Sequence, residues 1–390
     1  MDFSISEERR QILEAVDSML KEFSDEYWAE KDEKHEFPWE FYHAFARNGY
    51  LGMAIPEEYG GAGLTLTDAA LVLQRVAGSG PCHAGATAVH ISVFGMTPVV
   101  KFGSEEMRRK YLPPLVKGDL HVCFGVTEPD AGTDTTRIRT FAENRGDHYV
   151  VNGGKIWTSR VLQSDLLLLL CRTERYEDVA KKTDGITVLL VDLREAVPSG
   201  QIEVKPIKVM SGHHTNQLFI NDLVVPVENR IGDEGKGFRV ILSGLNAERI
   251  LAASQYVGSG LWFIDRAVTY ANEREVFGRP IGMNQGIQFP LADSLARLDA
   301  AELILRKATW LYDNRRACGR EANMAKYLCA DAGFGAADRA LQTHGGMGYS
   351  EEYHISRFFR ESRLMKIAPV SQEMILNFLG ANVLGLPKSY

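Results

Sequence analysis

Apolar side chains recur at helical spacing in the first and last parts of the chain and at strand spacing in the middle. Helical spacing, with breaks at Pro38 and in the loop at 55–63, predicts helices from about residue 5 to 120. Between about 121 and 230, short runs rich in Val, Ile, Leu and Phe are separated by Gly, Asn and Asp, which is typical of strands. After Gly235 the helical spacing returns, so the pattern predicts a β segment between two helical segments.

Three long helical runs make up the last part of the chain. They cover residues 237 to 272, 284 to 314 and 321 to 343, and a glycine-containing break follows at 345 to 348. If the first run is one helix of ~36 residues at ~1.5 Å each, it spans about 54 Å, far more than a usual globular helix. Helices of this length are typical of a bundle that also packs against sister subunits.

The predicted fold class is therefore α+β, divided into three domains. We expect an N-terminal α-helical domain at 1–120, a small middle β domain at 121–232 and a C-terminal helical-bundle domain at 233–390. A chain of 390 residues with 45% apolar content can bury the cores that this division requires.

Charge and cysteine content exclude several classes of function. A formal net charge of -7 and a pI near 5.9 give no basic field, so we expect no nucleic-acid partner, and an anionic ligand must be held by local groups. The longest apolar run, at 166–171, has the length of a strand and is too short to span a membrane. Five cysteines without CxxC spacing indicate neither a zinc site nor a disulfide framework, so we expect a soluble, reduced, cytoplasmic protein.

No side-chain cluster in the sequence has the spacing of a metal site. The adjacent His213 and His214 cannot share one face of a helix or strand, and no cysteine or carboxylate cluster completes a ligand set. We interpret both as surface or packing residues and predict no metal.

The segment from Val126 to Asp134, VTEPDAGTD, carries the most specific candidate chemistry. It is a strand end that opens into a glycine-containing loop with hydroxyl groups at Thr127 and Thr133. Backbone N–H groups at a strand end and Thr hydroxyls are suitable partners for ring carbonyls and phosphate oxygens. The spacing alone would favour an ordinary turn.

This segment closely resembles the TEPxAGSD flavin loop of acyl-CoA dehydrogenases, and further matches follow the order of that family through nearly the whole chain. They are IPEEYGGAG, the stretch from Gly103 to Asp119, NGGKIWTS, ERxxFGRPI with Gln285, QTHGGMGY and a short C-terminal helix. The resemblance implies an FAD-dependent acyl-CoA dehydrogenase with a small β-barrel as its middle domain and a four-helix bundle at its C-terminus.

The resemblance also implies a set of flavin-binding residues in the middle domain. Val126 and Thr127 would contact the flavin ring, and Thr133 would lie on the phosphate or substrate side of the same loop. Trp157 would flank the isoalloxazine, with Ser159 beside it. Without the resemblance, a Trp in a strand is more often a core residue than a cofactor wall.

Further cofactor positions in the C-terminal domain imply a homo-oligomer, which we expect to be a tetramer. The resemblance assigns Arg274, Phe277 and Gln285 to contacts with a neighbouring subunit's FAD. It assigns Gln342, Gly345 and Gly346 to the adenosine end, and Ser371 to the cofactor as well. Taken alone, Arg274 would be a solvated helix charge, and the two glycines a helix C-cap and turn.

The reaction of this family requires a carboxylate that removes a proton alpha to a thioester. In most members this base is a Glu at a fixed distance after the glycine pair, where this chain has Pro369. A minority branch, which includes isovaleryl-CoA dehydrogenase, carries the Glu on the long first helix of the C-terminal domain, just before an Arg. The resemblance to this branch makes Glu248 the catalytic base and Arg249 a support for the CoA pyrophosphate or for local charge balance.

The surroundings of Glu248 favour this assignment over an exposed helix charge. Ser243, Gly244 and Ala247 lie within one turn and are small enough to leave room for an acyl chain. The apolar neighbours Ile241, Leu242, Leu245, Ile250 and Leu251 make an unpaired charge costly unless it faces a cavity or a partner. Glu373 is a rival base, although helix packing or capping explains it better.

Pro369 also removes a backbone N–H that the family uses to polarise the thioester carbonyl. A shifted donor such as the Val370 N–H, or a flavin ribityl hydroxyl, would have to replace it. We therefore expect Asn246, Arg249, Val370 and Thr133 to contact the substrate.

Three functions remain open from the sequence. The first is dehydrogenation of an acyl-CoA, with branched or bulky acyl chains and an electron-transfer flavoprotein as the acceptor; related enzymes with this arrangement include enoyl-CoA reductases. The second is an oxygen-using acyl-CoA oxidase or monooxygenase of the same fold. The third is a binding protein for flavin and acyl-CoA that lost its activity when the loop Glu became Pro369.

Overall fold

The computed structural model describes residues 4–389, and its first part is a layer of helices. Ser6 caps the first helix by accepting a hydrogen bond from the Arg9 N–H, and Thr65 and Asp68 form a capping box at the start of the fourth. The helices are α1 (Glu7–Leu20), α2 (Asp25–Glu33), α3 (Trp39–Arg47), α4 (Leu66–Ala77), α5 (Cys82–Phe94), α6 (Thr97–Phe102) and α7 (Glu105–Lys117).

The middle part is one eight-stranded sheet. Its strands are β1 (Val122–Gly125), β2 (Phe141–Asn144), β3 (His148–Ser159), β4 (Leu166–Arg172), β5 (Ile186–Asp192), β6 (Ile202–Ile207), β7 (Thr215–Pro226) and β8 (Arg230–Ile231), with the short helix α8 (Leu193–Ala196) after β5. The hydrogen-bonded order is β6-β7-β3-β2-β4-β5-β8, and β1 pairs in parallel with β4. Within the described residues this path has edges at β6 and β8 and does not close on itself.

The apolar run at 166–171 forms β4 and is buried on both faces. Leu166, Leu168 and Leu170 pack into a core shared with α7 and the start of the long C-terminal helix, whereas Leu167 and Leu169 pack into the core of the sheet itself. A strand covered on both faces needs no polar alternation, which explains its continuous hydrophobic sequence.

The C-terminal part consists of three long helices and shorter elements around them. These are α9 (Gly237–Glu273), β9 (Glu275–Val276), β10 (Arg279–Pro280), α10 (Gln285–Asp313), α11 (Gly319–His344), α12 (Gly346–Tyr349), α13 (Ile355–Ser362) and α14 (Gln372–Phe378). The predicted runs therefore agree with the observed helices to within a few residues. The α+β fold, with helical, β and helical parts in that order, is confirmed.

Helix α9 runs for 37 residues without a break and is the central element of the molecule. It packs against α4, α5, α10 and α11. At Gly258 the backbone of α4 comes so close that a Cβ atom would lie 2.1 Å from the Gln74 carbonyl oxygen. Glycine is therefore required at this crossing, which fixes α9 against the N-terminal helices. Within residues 4–389, no helix combines the length and apolar character needed to cross a membrane.

A buried ion pair holds the VTEP segment against β3. Lys155 Nζ lies 2.7 Å from Glu128 Oε1 and 3.0 Å from the Val126 carbonyl oxygen, and Lys155 is completely buried. Glu128 also accepts the backbone N–H groups of Arg139 and Thr140. Burial alone would raise the pKa of Glu128, but Lys155 and these hydrogen bonds together lower it.

Replacing Lys155 with Met should destabilise the protein by about 3–5 kcal/mol, because the Glu128 carboxylate would remain buried without its cation. The free energy of unfolding, measured by urea denaturation, tests this. Lys205→Met is the matched control, since Lys205 forms an exposed pair with Glu203 at 3.2 Å and should contribute less than ~1 kcal/mol. Equal losses in the two variants would show that the buried pair does not hold the loop.

Candidate functional site

The structure brings the strand-end loop and the NGGKIWTS strand together. The Ile156 N–H donates to the Thr127 carbonyl oxygen at 2.9 Å, which places Thr127 and Val126 beside the end of β3. The register of β3 against β7 shifts between Lys155 and Thr158, and Trp157 lies in this irregularity with φ 59°. Its side chain is 55% exposed, so the interpretation of Trp157 as a core residue is wrong.

The exposed indole of Trp157 and the adjacent loop can accommodate a flat aromatic ligand. Val126 and Thr127 are half-buried on the loop, and the Thr158 hydroxyl is buried without a hydrogen-bond partner among the described residues. Ser159 is half-buried and its Oγ lies 2.9 Å from His213 Nε2. Thr133 is exposed farther along the same loop. These residues fit an isoalloxazine and the start of its ribityl chain.

The segment after α9 projects into solvent. Phe277 and Gly278 form the two-residue turn between β9 and β10, both with positive φ, as in a tight hairpin. Phe277 is 100% exposed, and Arg274 and Gln285 are exposed at the ends of α9 and α10. Glu248 lies within α9, and Arg274 is the C-cap of the same helix, 26 residues later. At ~1.5 Å per residue the two positions are about 39 Å apart. Within one chain the two positions therefore belong to different regions.

The end of α11 presents an open backbone. Gln342, Gly345 and Gly346 are exposed, and Gly345 ends the helix with φ +59° while its N–H donates to the Gln342 carbonyl oxygen. A Cβ atom on Gly345 or Gly346 would meet no atom within 4 Å. The helix-cap interpretation of the glycine pair therefore describes its geometry, and the open space also lets a ligand approach the backbone. Ser371 caps α14 by accepting the Met374 N–H at 3.3 Å.

Glu248 lies in the first half of α9, and its carboxylate has no ion pair or hydrogen bond with any group of residues 4–389. Part of its surface is accessible, but protein surrounds it closely, and this burial raises the pKa of Glu248 to about 7, while Arg249 opposes the shift. Arg249 instead donates to Asn246 Oδ1 at 2.7 Å, and its Nε has no partner. The arrangement leaves a carboxylate that can accept a proton near neutral pH.

The predicted apolar surround of Glu248 is only partly present. Ile250 and Leu251 are buried, and Ile241 is 9% exposed. Leu242, however, is 47% exposed, so the prediction that it is one of the apolar neighbours surrounding Glu248 is wrong. It lies six residues before Glu248, which places it on a different face of the helix.

The segment that includes Pro369 is fastened by its backbone to two long helices. The Tyr256 hydroxyl of α9 donates to the Ala368 carbonyl oxygen at 3.1 Å, and Lys326 Nζ of α11 donates to the Met365 carbonyl oxygen at 2.8 Å. Burial raises the pKa of Tyr256, and the charge of Glu248 adds to this shift, so the Tyr256 hydroxyl lies within electrostatic reach of Glu248.

Around this segment, Pro369 is exposed and Val370 is half-buried. Glu373 is exposed in the first turn of α14, where an acidic side chain is favourable. Its position therefore agrees with the capping interpretation rather than with a buried base.

The sequence interpretation missed a row of polar residues between α5 and α9. His83 Nε2 lies 3.0 Å from Ser259 Oγ, and Gln255 Nε2 lies 2.6 Å from His90 Nδ1. Burial lowers the pKa of both histidines to about 3, so they are neutral at pH 7. The available signal was the occurrence of His83 and His90 seven residues apart on an apolar helix, where they share one face.

Arg160, directly after Ser159, was also missed. It is 7% exposed and donates Nη1 to the Ala88 carbonyl oxygen at 2.6 Å. The pair His213 and His214 is half-buried, as expected for packing residues, although His213 also bonds Ser159. Among residues 4–389, no group of His, Cys, Asp and Glu has the arrangement of a metal site.

Family comparisons match almost the whole chain. The model for the acyl-CoA dehydrogenase N-terminal domain matches residues 6–119, the middle-domain model residues 123–223 and the C-terminal-domain model residues 235–384.

Two relatives and one solved structure cover nearly the full length. The acyl-CoA dehydrogenase FadE12 of Mycobacterium tuberculosis is 34% identical over 100% of this chain and 99% of its own. The CarC subunit of the caffeyl-CoA reductase-Etf complex of Acetobacterium woodii is 34% identical over 93% and 94%. The glutaryl-coenzyme A dehydrogenase in complex with glutaryl-CoA superposes with a TM-score of 0.92 at 30% identity, covering 100% of this chain and 98% of that one. The chain therefore belongs to the acyl-CoA dehydrogenase family and is a flavin-dependent oxidoreductase.

Proposed function

We propose that this protein is an FAD-dependent acyl-CoA dehydrogenase in which Glu248 is the catalytic base. The observation that carries the proposal is a carboxylate without an ion pair or hydrogen bond among residues 4–389, whose pKa is raised by burial to about 7. A base with a pKa near the working pH is suited to removing a proton from carbon.

The proposed reaction converts a saturated acyl-CoA to the α,β-unsaturated thioester. Glu248 takes the proton from the α-carbon, and the electron pair of that C–H bond becomes part of the new carbon–carbon double bond. When bound, FAD supplies the acceptor for the hydride that leaves the β-carbon. The nearby Arg249 would support the CoA pyrophosphate or balance local charge, and Asn246 is held beside it by their 2.7 Å hydrogen bond.

The flavin would bind at the loop and strand that carry Trp157. In this proposal Val126, Thr127 and Ser159 contact the ring, and Thr133 lies towards the phosphates or the substrate. Supporting this placement are the exposed indole of Trp157 and the hydrogen bond between the Ile156 N–H and the Thr127 carbonyl oxygen. Gln342, Gly345, Gly346 and Ser371 would contact the adenosine end.

The thioester carbonyl would be polarised by a donor other than residue 369, because proline has no N–H. Val370 follows it and remains our candidate, along with a ribityl hydroxyl. Tyr256 and Lys326 hold the carbonyl groups of Ala368 and Met365, which limits the movement of this segment.

We propose an electron-transfer flavoprotein as the redox partner, a branched or bulky acyl chain on the substrate and a cytoplasmic location. The name of the Acetobacterium relative contains both a reductase activity and an Etf complex, which supports the partner and also admits the reverse direction, reduction of an enoyl-CoA. A protein that oxidised acyl-CoA but released hydrogen peroxide in air would instead be an oxidase.

Glu248→Gln should slow reduction of the bound flavin by acyl-CoA about 100- to 10,000-fold, because the amide cannot accept the α-proton. Anaerobic bleaching of the flavin, followed with straight and branched acyl-CoAs, measures this. The wild-type rate should rise with pH through about 7 and then level off, because the base acts in its ionised form.

Glu373→Gln is the matched control for this experiment. Glu373 is exposed at the start of α14, so its loss should leave the bleaching rate within a few-fold of the wild-type rate. The assignment would be wrong if Glu373→Gln abolished bleaching and Glu248→Gln did not. A wild-type protein that retains FAD but is never bleached by either class of acyl-CoA would instead be a binding protein.

The same substitution should stabilise the protein above neutral pH. The raised pKa means that folded protein holds the Glu248 proton more tightly than unfolded chain does, so this stabilisation is complete below about 4.5 and is lost as the pH rises through about 7. At pH 8 Glu248→Gln should therefore be more stable than wild type by up to about 3 kcal/mol. At pH 4 the two should agree, as measured by urea denaturation of the FAD-free proteins; a less stable variant at pH 8 would contradict a buried, unpaired carboxylate.

We also propose that the chain forms a homo-oligomer, expected to be a tetramer. On α10 the exposed side chains of Phe289, Leu303 and Trp310 are spaced by multiples of seven and share one face. Such a stripe on a bundle helix is suited to burial against a second copy. The projecting Phe277 and Arg274, far from Glu248 along α9, would then complete a neighbour's cofactor site.

Leu303→Asp should dissociate the oligomer into smaller species, because a carboxylate would be buried at the interface. Sedimentation velocity of the FAD-loaded protein measures the change, and FAD retention should fall together with it. Val224→Asp is the matched control, since Val224 is similarly exposed but lies on β7 in the middle sheet. A wild-type monomer would refute the proposal.

A further inference from the structure

A cleft of about 640 Å³, including its open mouth, lies between the N-terminal helices and the middle sheet. One wall is the first half of α5, and the opposite wall includes the loop at 211–214 after β6. Residues of α2, together with Phe37, form a third side. None of these residues has a role in the proposed reaction.

Arg160 forms part of the wall of this cleft and carries an uncompensated charge. Its guanidinium stacks at 5.6 Å over Phe37 and donates to the carbonyl oxygens of Thr87 and Ala88. Its Nε has no hydrogen-bond partner, and no ion pair connects Arg160 to any carboxylate within residues 4–389. Burial lowers the pKa of Arg160 to about 10, so it is cationic at pH 7. A buried charge without a counter-charge is costly, which favours an anionic ligand.

The acidic groups that line the cleft cannot serve as this counter-charge, because each already has a partner. Asp32 pairs with Arg360 at 2.7 Å, and Glu36 pairs with Lys31 at 3.2 Å. Glu361 lies 3.6 Å from Arg357 Nη1 and accepts the Ala84 N–H at 2.9 Å, although its Oε1 has no hydrogen-bond partner among the described residues. The cleft histidines His83, His213 and His214 have pKa values lowered by burial and add no positive charge at pH 7. The guanidinium of Arg160 is therefore the uncompensated positive charge available to a ligand in the cleft.

The cleft adjoins both sides of the proposed reaction centre. On the side of the base, His83 lines the cleft and its ring lies 5.7 Å from that of Tyr256, which senses the charge of Glu248. On the side of the flavin, His213 lines the cleft and bonds Ser159 at 2.9 Å. His83 and His213 therefore connect the walls of the cleft to Tyr256 and Ser159, and Arg160 follows Ser159 directly in the chain.

We propose that the acyl group of the substrate ends in a carboxylate, and that Arg160 binds this carboxylate in the cleft. The substrate would be a coenzyme A monothioester of a dicarboxylic acid. The inference rests on the proposed dehydrogenase function and narrows its substrate class. A guanidinium with free N–H groups is suited to a carboxylate because it can donate two parallel hydrogen bonds.

The first test uses the wild-type enzyme with its FAD. Succinyl-, glutaryl- and adipoyl-CoA are compared in anaerobic flavin bleaching with their ω-methyl esters, which have nearly the same length but no charge. For at least one carboxylated thioester, the rate constant of flavin reduction divided by the apparent Kd should be about 30-fold or more larger than for its ester, as expected when a buried charged pair is broken. Equal or faster bleaching by the esters would overturn the inference while leaving the dehydrogenase intact. Failure of every thioester would instead refute the proposed function.

The second test measures binding without turnover. In the Glu248→Gln holoenzyme, the Kd of the preferred carboxylated thioester should rise about 30-fold or more on adding Arg160→Gln, while the Kd of its ester should change little. Arg160→Lys, which keeps the charge, should restore part of the binding. Lys31→Gln is the matched control, because Lys31 is a cleft cation already paired with Glu36, and it should leave the preference intact. Parallel loss of both ligands in Arg160→Gln would mean that Arg160 only supports α5.

Discussion

Helix α9 carries Glu248 near its beginning and Arg274 at its end, and the positions of both depend on its running as one rigid rod. Its contact with α4 at Gly258 admits no side chain, and Ser259 and Gln255 bond the histidines of α5. A kink in α9 would therefore move Glu248, the polar row and the projecting segment together. The 37 residues contain no proline, which permits this continuity.

Among the buried charges, two groups differ in how their charge is satisfied. Lys155 and Glu128 neutralise each other, and Arg172 donates to four backbone carbonyl oxygens. The carboxylate of Glu248, in contrast, has no hydrogen bond or ion pair among residues 4–389, and Arg160 donates to two carbonyl oxygens while its Nε has no partner. The first group contributes to structure alone. The second group destabilises the fold unless a ligand supplies the missing hydrogen-bond or charge partner. For Glu248 and Arg160 this difference supports the proposed functional roles.

Much of the fold was predictable because its elements are long and regular. The helical spacing after Gly235 predicted α9, α10 and α11 to within a few residues, and the run at 166–171 had the length of the buried strand β4. The position of Trp157 was harder to predict. Its exposure depends on a register shift between β3 and β7, which no local sequence signal indicates. The resemblance predicts that Trp157 flanks the flavin ring, whereas its place in a strand alone favours a core position, which its exposure contradicts.

The polar row and Arg160 could not be assigned from the sequence for a different reason. Their environment is created by residues distant in the chain: His90 meets Gln255 across 165 positions, and Arg160 meets Ala88 across 72. Tertiary contacts decide whether such a side chain is solvated, paired, or buried without a partner. The sequence pattern alone favours a solvated side chain. The only sequence signal for the polar row was the occurrence of His83 and His90 on the apolar helix α5.

The backbone of the segment that includes Pro369, where the resemblance places the usual loop Glu, is held from outside. Two side chains from different long helices, Tyr256 and Lys326, bind its carbonyl groups, so its path does not depend on residue 369 donating a hydrogen bond. Tyr256 is on the same helix as Glu248 and feels its charge. Glu248, the proposed base, and Tyr256, which binds the Ala368 carbonyl oxygen, are thus both on α9, and this helix sets their relative position. In the proposed function, a segment held in this way needs no carboxylate of its own at residue 369.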